Sequence, residues 1–302
     1  MLKSENFEYL LDTRLKKVYD KTWKEIPSRL NSLYSIKTSD KAVEYDYALG
    51  DIGLPEVFDG QVKYQDVSGQ YRKSYSHEEL VTGLRIQRKL VDDDQYDVID
   101  KLPMQLSRSM KLQREEDAAS TFANAFSDSY AGGDGKSLCN DAHPAVGTDD
   151  TQDNKGTYEL TVAYLKTVRL AMQKFETDKG NLAGIMPSML LVPIDLADTA
   201  AEITKSELVP YQDAAGTTEN IQTINVNLGR YSVMDWIYLA DTNNWFMIDP
   251  MMMKMFLIWY NRKGVEFNRD ADTDTYVRKY STYMRYSKGF SGWNWVYGNE
   301  VA

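Results

Sequence analysis

The sequence predicts an α+β protein, because long helical stretches and blocks of strand-like text occupy separate parts of the chain. Three observations carry that reading. One apolar face repeats at steps of three or four from Asp92 to Phe126, Tyr and Val alternate with polar residues from Val43 to Ile86, and an apolar run at Met189–Val192 leads straight into a helical pattern. With 302 residues, 42% hydrophobic and 26% charged, the chain is long enough to bury a substantial core in one elaborate domain or two. Its 21 Tyr and 6 Trp fit large contact surfaces as well as filled cores.

The elements follow in order. Residues 1–42 carry nine Lys or Arg against six Asp or Glu and form a basic N-terminal arm candidate. Phe7, Leu10, Leu11, Leu15 and Val18 have helical spacing, suited to docking on a neighbour or on the chain's own domain. Residues 43–86, broken by Gly50, Gly53, Pro55, Gly60 and Gly69, read as long strands joined by turns. Ser76 and Glu79 have capping-box spacing, but Gly83 and the alternation Leu84-Arg85-Ile86 favour a returning strand. Strands without a helical cover cannot bury both faces, so this region is expected to lie on another subunit.

The span Asp92–Phe126 gives about 50 Å of helix at 1.5 Å per residue, with three aspartates near its start and a restart or kink at Pro103. Ser127–Gly156 is a long polar loop rich in Gly, Asp and Asn, of a length expected to be functional or disordered, and its stretch Gly132–Ser137 is read as a flexible connector. A second helix carries Tyr158, Val162, Leu165, Val168, Met172 and Phe175 on one face. Met189–Val192 reads as a buried strand, with Asp195 capping a helix over Leu196–Ser206. Further strands are expected at Ile221–Val226, Val233–Leu239, Trp245–Ile248 and Met255–Tyr260, with a turn at Asn243-Asn244. Tyr276–Tyr286 alternates strictly, with large or charged side chains on both faces.

Several function classes lose their support here. A net charge of −10 argues against a surface that grips nucleic acid throughout, since phosphate binding needs clustered Lys and Arg. A single cysteine, Cys139, forms no intrachain disulfide, and the N-terminal text lacks a secretory signal, so the expected place of assembly is a reducing cytoplasm. The longest apolar stretch, Met251–Tyr260, is interrupted by Lys254 and is too short to span a bilayer. Gly132–Ser137 imitates a phosphate-binding loop, but Tyr130 stands where the first glycine belongs and a helix precedes it where the motif needs a strand. Cys139, Asp141 and His143 are too few for a metal site, the other histidine being His77. Asp270, Asp272 and Asp274 open like a calcium hand, but Thr275 replaces its glycine and Ser281 its bidentate glutamate. No catalytic residue, cofactor or metal is assigned, and the chain is read as a structural protein rather than an enzyme.

The order of arm, outlying strand loop, long helix, Gly-Asp loop, α+β unit and closing strand resembles the major capsid proteins of tailed phages, particularly the Mu-like major head subunits. The collinear echoes are Arg114–Ala119 leading to Phe122–Phe126, Gly133–Cys139 with His143-Pro144, Leu191-Val192-Pro193, Leu239–Phe246, Arg285–Phe290 and Trp295–Gly298. The resemblance implies the tailed-phage capsid fold, shared with encapsulins. It divides the chain into an N-terminal arm (1–42), an extended β loop (43–86), a peripheral domain with a spine helix (87–186), an axial domain (187–265) and return strands of the peripheral domain (266–302). The closing strand would pack one face on the spine helix and present the other to a subunit.

That resemblance also implies self-assembly into pentamers and hexamers of an icosahedral shell enclosing double-stranded DNA, with the virion as location and no membrane or sequence-specific DNA contact. Copies of the chain, a separate scaffolding protein and a portal are the implied partners, with a decoration protein as a further candidate. Predicted exposure and family position nominate Tyr45, Tyr47, Phe58, Tyr64, Tyr71, Lys73, Arg278, Tyr283 and Arg285 as assembly contacts. Some relatives crosslink a lysine to an asparagine, but no local pattern selects Lys63 or Lys73, and uncrosslinked shells are expected. The rival readings are an encapsulin-like compartment and a phosphate-handling enzyme built on Gly132–Ser137.

Overall fold

A computed structural model describes residues 4–67, 69–89, 93, 96–144, 151–212, 218–272 and 277–302. Asp92, Asp94, Asp274, Tyr276 and the stretch 145–150, which enter the expectations above, lie outside the described residues. The chain opens with α1 (Ser4–Glu25), the short α2 (Leu30–Leu33) and β1 (Ser35–Thr38). Next come β2 (Val43–Leu49), β3 (Gly69–Ser76), β4 (Glu78–Gln87) and the long helix α3 (Tyr96–Ala123). Three two-residue strands follow: β5 (His143–Pro144), β6 (Thr151–Gln152) and β7 (Lys155–Gly156). Helix α4 (Val162–Gln173), β8 (Met189–Val192) and α5 (Ala197–Lys205) precede the hairpin of β9 (Leu208–Gln212) and β10 (Thr218–Ile224). The remainder is β11 (Ser232–Asp235), β12 (Trp245–Ile248), α6 (Pro250–Phe256), β13 (Leu257–Asp272), β14 (Val277–Phe290) and β15 (Val296–Asn299).

Two sheets organise these elements. A four-stranded sheet runs β1-β13-β14-β4, and a five-stranded sheet runs β11-β8-β12-β15-β7. Strands β8 and β12 are buried along their whole length, as Met189–Val192 and Trp245–Ile248 must be when both faces are covered. Helix α4 buries Leu165, Val168 and Met172 against Leu190, Val192, Trp245 and Tyr297, closing one face. The other face meets α3 through Phe122, whose ring sits edge-on to Trp236, Phe246 and Trp295 at 6.3, 5.5 and 6.1 Å. The same core contains Trp259 and Tyr286 from the long sheet, so the two sheets share it.

Helix α1 packs on its own chain. Leu15 is buried with Ile86, Ile99 and Tyr280, Arg14 pairs with Asp100, and Ser107 donates to the carbonyl of Tyr19 at 3.1 Å. Helix α3 runs without a break through Pro103, which is buried, and its 28 residues span about 42 Å. At its C-terminal end the helix stops three residues short of the expected Phe126, because Asn124–Phe126 turn out of it. Strand β4 pairs antiparallel with β14 from Glu78 to Gln87, so Ser76 ends one strand, Glu79 lies in the next, and no helix starts between them.

Three other expectations need correction. Asp195 caps nothing: a 3-10 turn over Ile194–Leu196 intervenes, and α5 has no side-chain cap. Met255–Tyr260 is divided between α6 and β13, and the helix starts because the Asp249 carboxylate accepts the N–H groups of Met251 and Met252 while Pro250 occupies its first turn. The stretch around Gly132–Ser137 is no flexible connector: within the described parts of the loop, 127–144 and 151–156, Ser137, Leu138, Cys139, His143 and Asn154 are all fully buried. Strand β13 runs continuously through residue 265, while β7 and β15, from segments 87–186 and 266–302, both join the five-stranded sheet.

Candidate functional site: exposed surfaces and a buried loop knot

The largest unsupported feature is the segment between β2 and β3. These strands pair as a hairpin from Val43↔Ser76 to Leu49↔Gly69, and residues 50–67 beyond them form no regular structure. There Ile52, Leu54, Val57, Phe58, Val62 and Tyr64 are 65–93% exposed, with Phe58 at 73% and Tyr64 at 92%. Pro55 and the glycines at 50, 53 and 60 prevent a regular strand, so the ladder that would hold these side chains together ends at Leu49. A contiguous run of large apolar groups in water marks a surface awaiting a partner. Within the run, Lys63 is bonded to Glu56 and lies 3.8 Å from Asp59.

The nominated residues divide into two groups. Tyr45, Tyr47, Phe58 and Tyr64 are exposed on the hairpin and its tip, Tyr45 lying beneath the Arg72 guanidinium at 5.0 Å. Tyr71 and Lys73 form the hairpin's root: the Tyr71 hydroxyl donates to the Pro144 carbonyl at 3.3 Å, and Lys73 Nζ donates to the Ala131 carbonyl. Burial lowers the Lys73 pKa and raises that of Tyr71. Along β14 the face bearing Tyr280, Thr282, Met284 and Tyr286 is buried, as the alternation implied, and the intervening residues are half-buried. On that strand Arg278 lies 3.7 Å from Asp12, Arg285 lies 3.6 Å from Glu79, and Tyr283 sits opposite Val81 and Glu266.

The root rests on the buried loop. His143 Nδ1 lies 2.7 Å from Asp134 Oδ2 and Nε2 lies 3.1 Å from Asn154 Oδ1, with the ring stacked on Trp293 at 4.3 Å. Asn154 Nδ2 donates to the carbonyls of Leu138 and Val296, and its Oδ1 accepts the N–H of Asn140. One side chain thereby ties the loop to β15. Reading the text as polar connector missed this because Asn, Asp and Gly residues look alike whether solvated or bonded to each other. The pair His143 and Asn154, flanked by the apolar Leu138-Cys139, is the only hint the sequence offers.

The chemistry imitated by this loop is blocked by its own bonds. Lys136 N donates to Asp134, Ser137 N donates to Asp128, and Ser137 Oγ donates to the Cys139 carbonyl, so N–H groups that a phosphate would need already serve carboxylates. The Ser137 backbone N–H, followed by the Ser137 side chain, holds the Asp128 carboxyl below its ordinary range. Cys139 is fully buried against Gly298 and Phe126, and burial pushes its thiol pKa up, away from the thiolate that metals and electrophiles need. Among the described residues no group of three or more His, Cys, Asp or Glu could hold a metal ion, and no helix is long and apolar enough to cross a membrane.

A family model described as phage capsid protein matches residues 73–297. No curated protein matches the chain. Among solved structures it is similar to the capsid of bacteriophage JBD30, with 15% identity and a TM-score of 0.56 over 71% of this chain and 91% of that one. The mature capsid of bacteriophage PhiM1 aligns at 9% identity and TM-score 0.56, over 92% of this chain and 88% of that one. A virus-like particle from Pyrococcus furiosus aligns at 10% identity and TM-score 0.56, over 95% and 98%. Their shared feature with this chain is the fold, the mixed helix and sheet arrangement of tailed-phage capsids.

Proposed function

Since this chain belongs to the phage capsid protein family, we propose that it is the major capsid protein of a tailed phage, of the Mu-like group, and that it assembles into pentamers and hexamers of an icosahedral shell around double-stranded DNA. The observation that carries the reading is the segment 50–67, whose large apolar side chains stand exposed among the described residues. A neighbouring copy supplies that cover in a shell. Tyr45, Tyr47, Phe58 and Tyr64 are the contacts of the extended loop, Tyr71 and Lys73 brace its root, and Arg278, Tyr283 and Arg285 meet a neighbour along β14. In this reading α3 with the four-stranded sheet forms the peripheral unit, and the five-stranded sheet with α4 and α5 forms the axial unit. The acidic chain, at net −10, gives the genome no place to stick. The protein performs no catalysis, is located in the virion, assembles in the host cytoplasm, and works with a separate scaffolding protein, a portal and a decoration protein.

Negative-stain microscopy of the expressed chain tests the proposal. Shells, rings or tubes are expected, and a monodisperse monomer at high concentration would overturn it. A second reading, an encapsulin-like compartment, draws on the similarity to the Pyrococcus furiosus particle over nearly both whole chains. Copurified contents decide between them: nucleic acid in particles from infected or induced cells supports the phage shell, and a protein cargo supports the compartment.

A further inference from the structure

A groove of about 930 Å³, lined by none of the nominated contact residues, lies between the α1–α2 linker, α3 and the residues just after β11. Its floor is apolar and comes from three separate elements: Ile26 from the linker, Met104 and Leu112 from α3, and Trp236 and Ile237 from beyond β11. Met104 is 45% exposed and Ile237 68%, so large apolar groups converge there without covering each other. The Trp236 indole, itself buried, has a donor Nε1–H that finds no acceptor among the described residues.

The charges around this floor are unbalanced. Its two carboxylates are both engaged: Glu115 accepts from Ser28 Oγ and from the Arg29 N–H at 3.1 Å, and Asp235 lies 3.7 Å from the Arg29 guanidinium. Lys101 and Arg108 remain as exposed cations on the rim, seven residues apart on one face of α3 and so about 10 Å apart along its axis.

We propose that this groove is the docking site for an amphipathic helix of another polypeptide, one that lays apolar side chains on Met104, Trp236 and Ile237 and places carboxylates two turns apart against Lys101 and Arg108. The spacing of the two cations is that of equivalent positions on a partner helix lying along α3, and helix-in-groove recognition reads such periodic anchors. Carboxylates on the partner supply the missing charge complement. The segment 50–67 of a second copy fits less well. Gly53, Pro55 and Gly60 keep it from forming a helix, and Lys63 already holds Glu56 and Asp59. The inference concerns a separate surface and stands independently of shell assembly.

Fluorescence anisotropy with the full-length unassembled chain tests it. The probes are a labelled 18-residue synthetic helix with Leu along one stripe and Glu seven residues apart, its twin with Lys in place of Glu, and a peptide of residues 49–67 of this chain. The acidic helix should bind at least tenfold more tightly than its basic twin, and the double variant Lys101→Glu/Arg108→Glu should reverse that order. Ile237→Asp should weaken both helices, while Lys136→Ala, remote from the groove, should change neither. Circular dichroism of each variant checks that the fold persists, and Arg108→Lys should retain binding. Equal affinity of the two helices, no binding of either, or tightest binding of the 49–67 peptide would overturn the proposal. Microscopy of the charge-reversed variant separates this question from the shell reading, since the variant should still assemble.

Discussion

Replacing Phe58 and Tyr64 together by serine should separate assembly from folding. Phe58 is 73% exposed and Tyr64 92%, and neither is part of the chain's buried core. Their loss should therefore leave subunit stability within about 0.5 kcal/mol of the wild type, the usual range for surface substitutions away from special features. In a shell the outcome differs. An aromatic side chain buries roughly 150–250 Å² when fully covered, and at about 25 cal/mol per Å² the exposed part of each ring is worth at most about 3–5 kcal/mol. A neighbour that covers half of each ring gains about 2 kcal/mol per ring, and about 1.4 kcal/mol is a factor of ten in an equilibrium constant. The critical concentration for assembly, followed by light scattering and particle counting, should rise by at least a hundredfold in the double variant. Urea unfolding of the dissociated subunit should be unchanged. Shells forming at the wild-type concentration would refute the reasoning, as would a subunit destabilised by more than about 1 kcal/mol.

Further expectations concern the core, the caps and pH. Phe122→Ala removes the ring that meets Trp236, Phe246 and Trp295 and should cost about 3–5 kcal/mol in urea unfolding, with Phe122→Leu recovering more than half. Asp249→Ala frees the N–H groups of Met251, Met252 and Met186 and should cost about 1–2 kcal/mol, while Asp249→Asn should lose less. His77 lies between Ser39 Oγ and Ser287 Oγ, and burial, followed by the nearby Arg285 charge, lowers its pKa below the ordinary 6.5. Protonation then favours the unfolded chain, so this contribution is intact above about pH 6.5 and is lost as the pH falls below it. Wild type compared with His77→Gln by urea unfolding at pH 8 and pH 5 should show the extra acid sensitivity only in the wild type; the opposite sign would refute the assignment. Boiled shells should run at 34.6 kDa in detergent gels, and a ladder above that mass would show crosslinks.

The local text was readable wherever one periodicity dominated. The apolar steps of α3 and α4, the uninterrupted runs Met189–Val192 and Trp245–Ile248, and the alternation that buries Tyr280, Thr282, Met284 and Tyr286 each record which side faces apolar surroundings. Helix α6 was missed: Asp249-Pro250 holds the cap and the first-turn proline that mark its start, but the methionine run that follows reads equally well as a strand. The exposed aromatics of residues 50–67 were nominated from predicted exposure and family position, and the structure explains their exposure: the β2–β3 ladder ends at Leu49.

By itself, then, the sequence determined an α+β chain with one long helix, an outlying strand loop and motifs each lacking a part their chemistry requires. Tertiary structure alone decided that Asn154 pins the Gly-Asp loop to β15, that β7 and β15 complete a sheet with β8 and β12, and that Ile26, Met104 and Ile237 border one groove. Periodicity records whether a side chain points toward a core. Which distant segment supplies that core, or which buried carbonyl an asparagine will meet, depends on contacts across more than a hundred residues, and no local pattern encodes them.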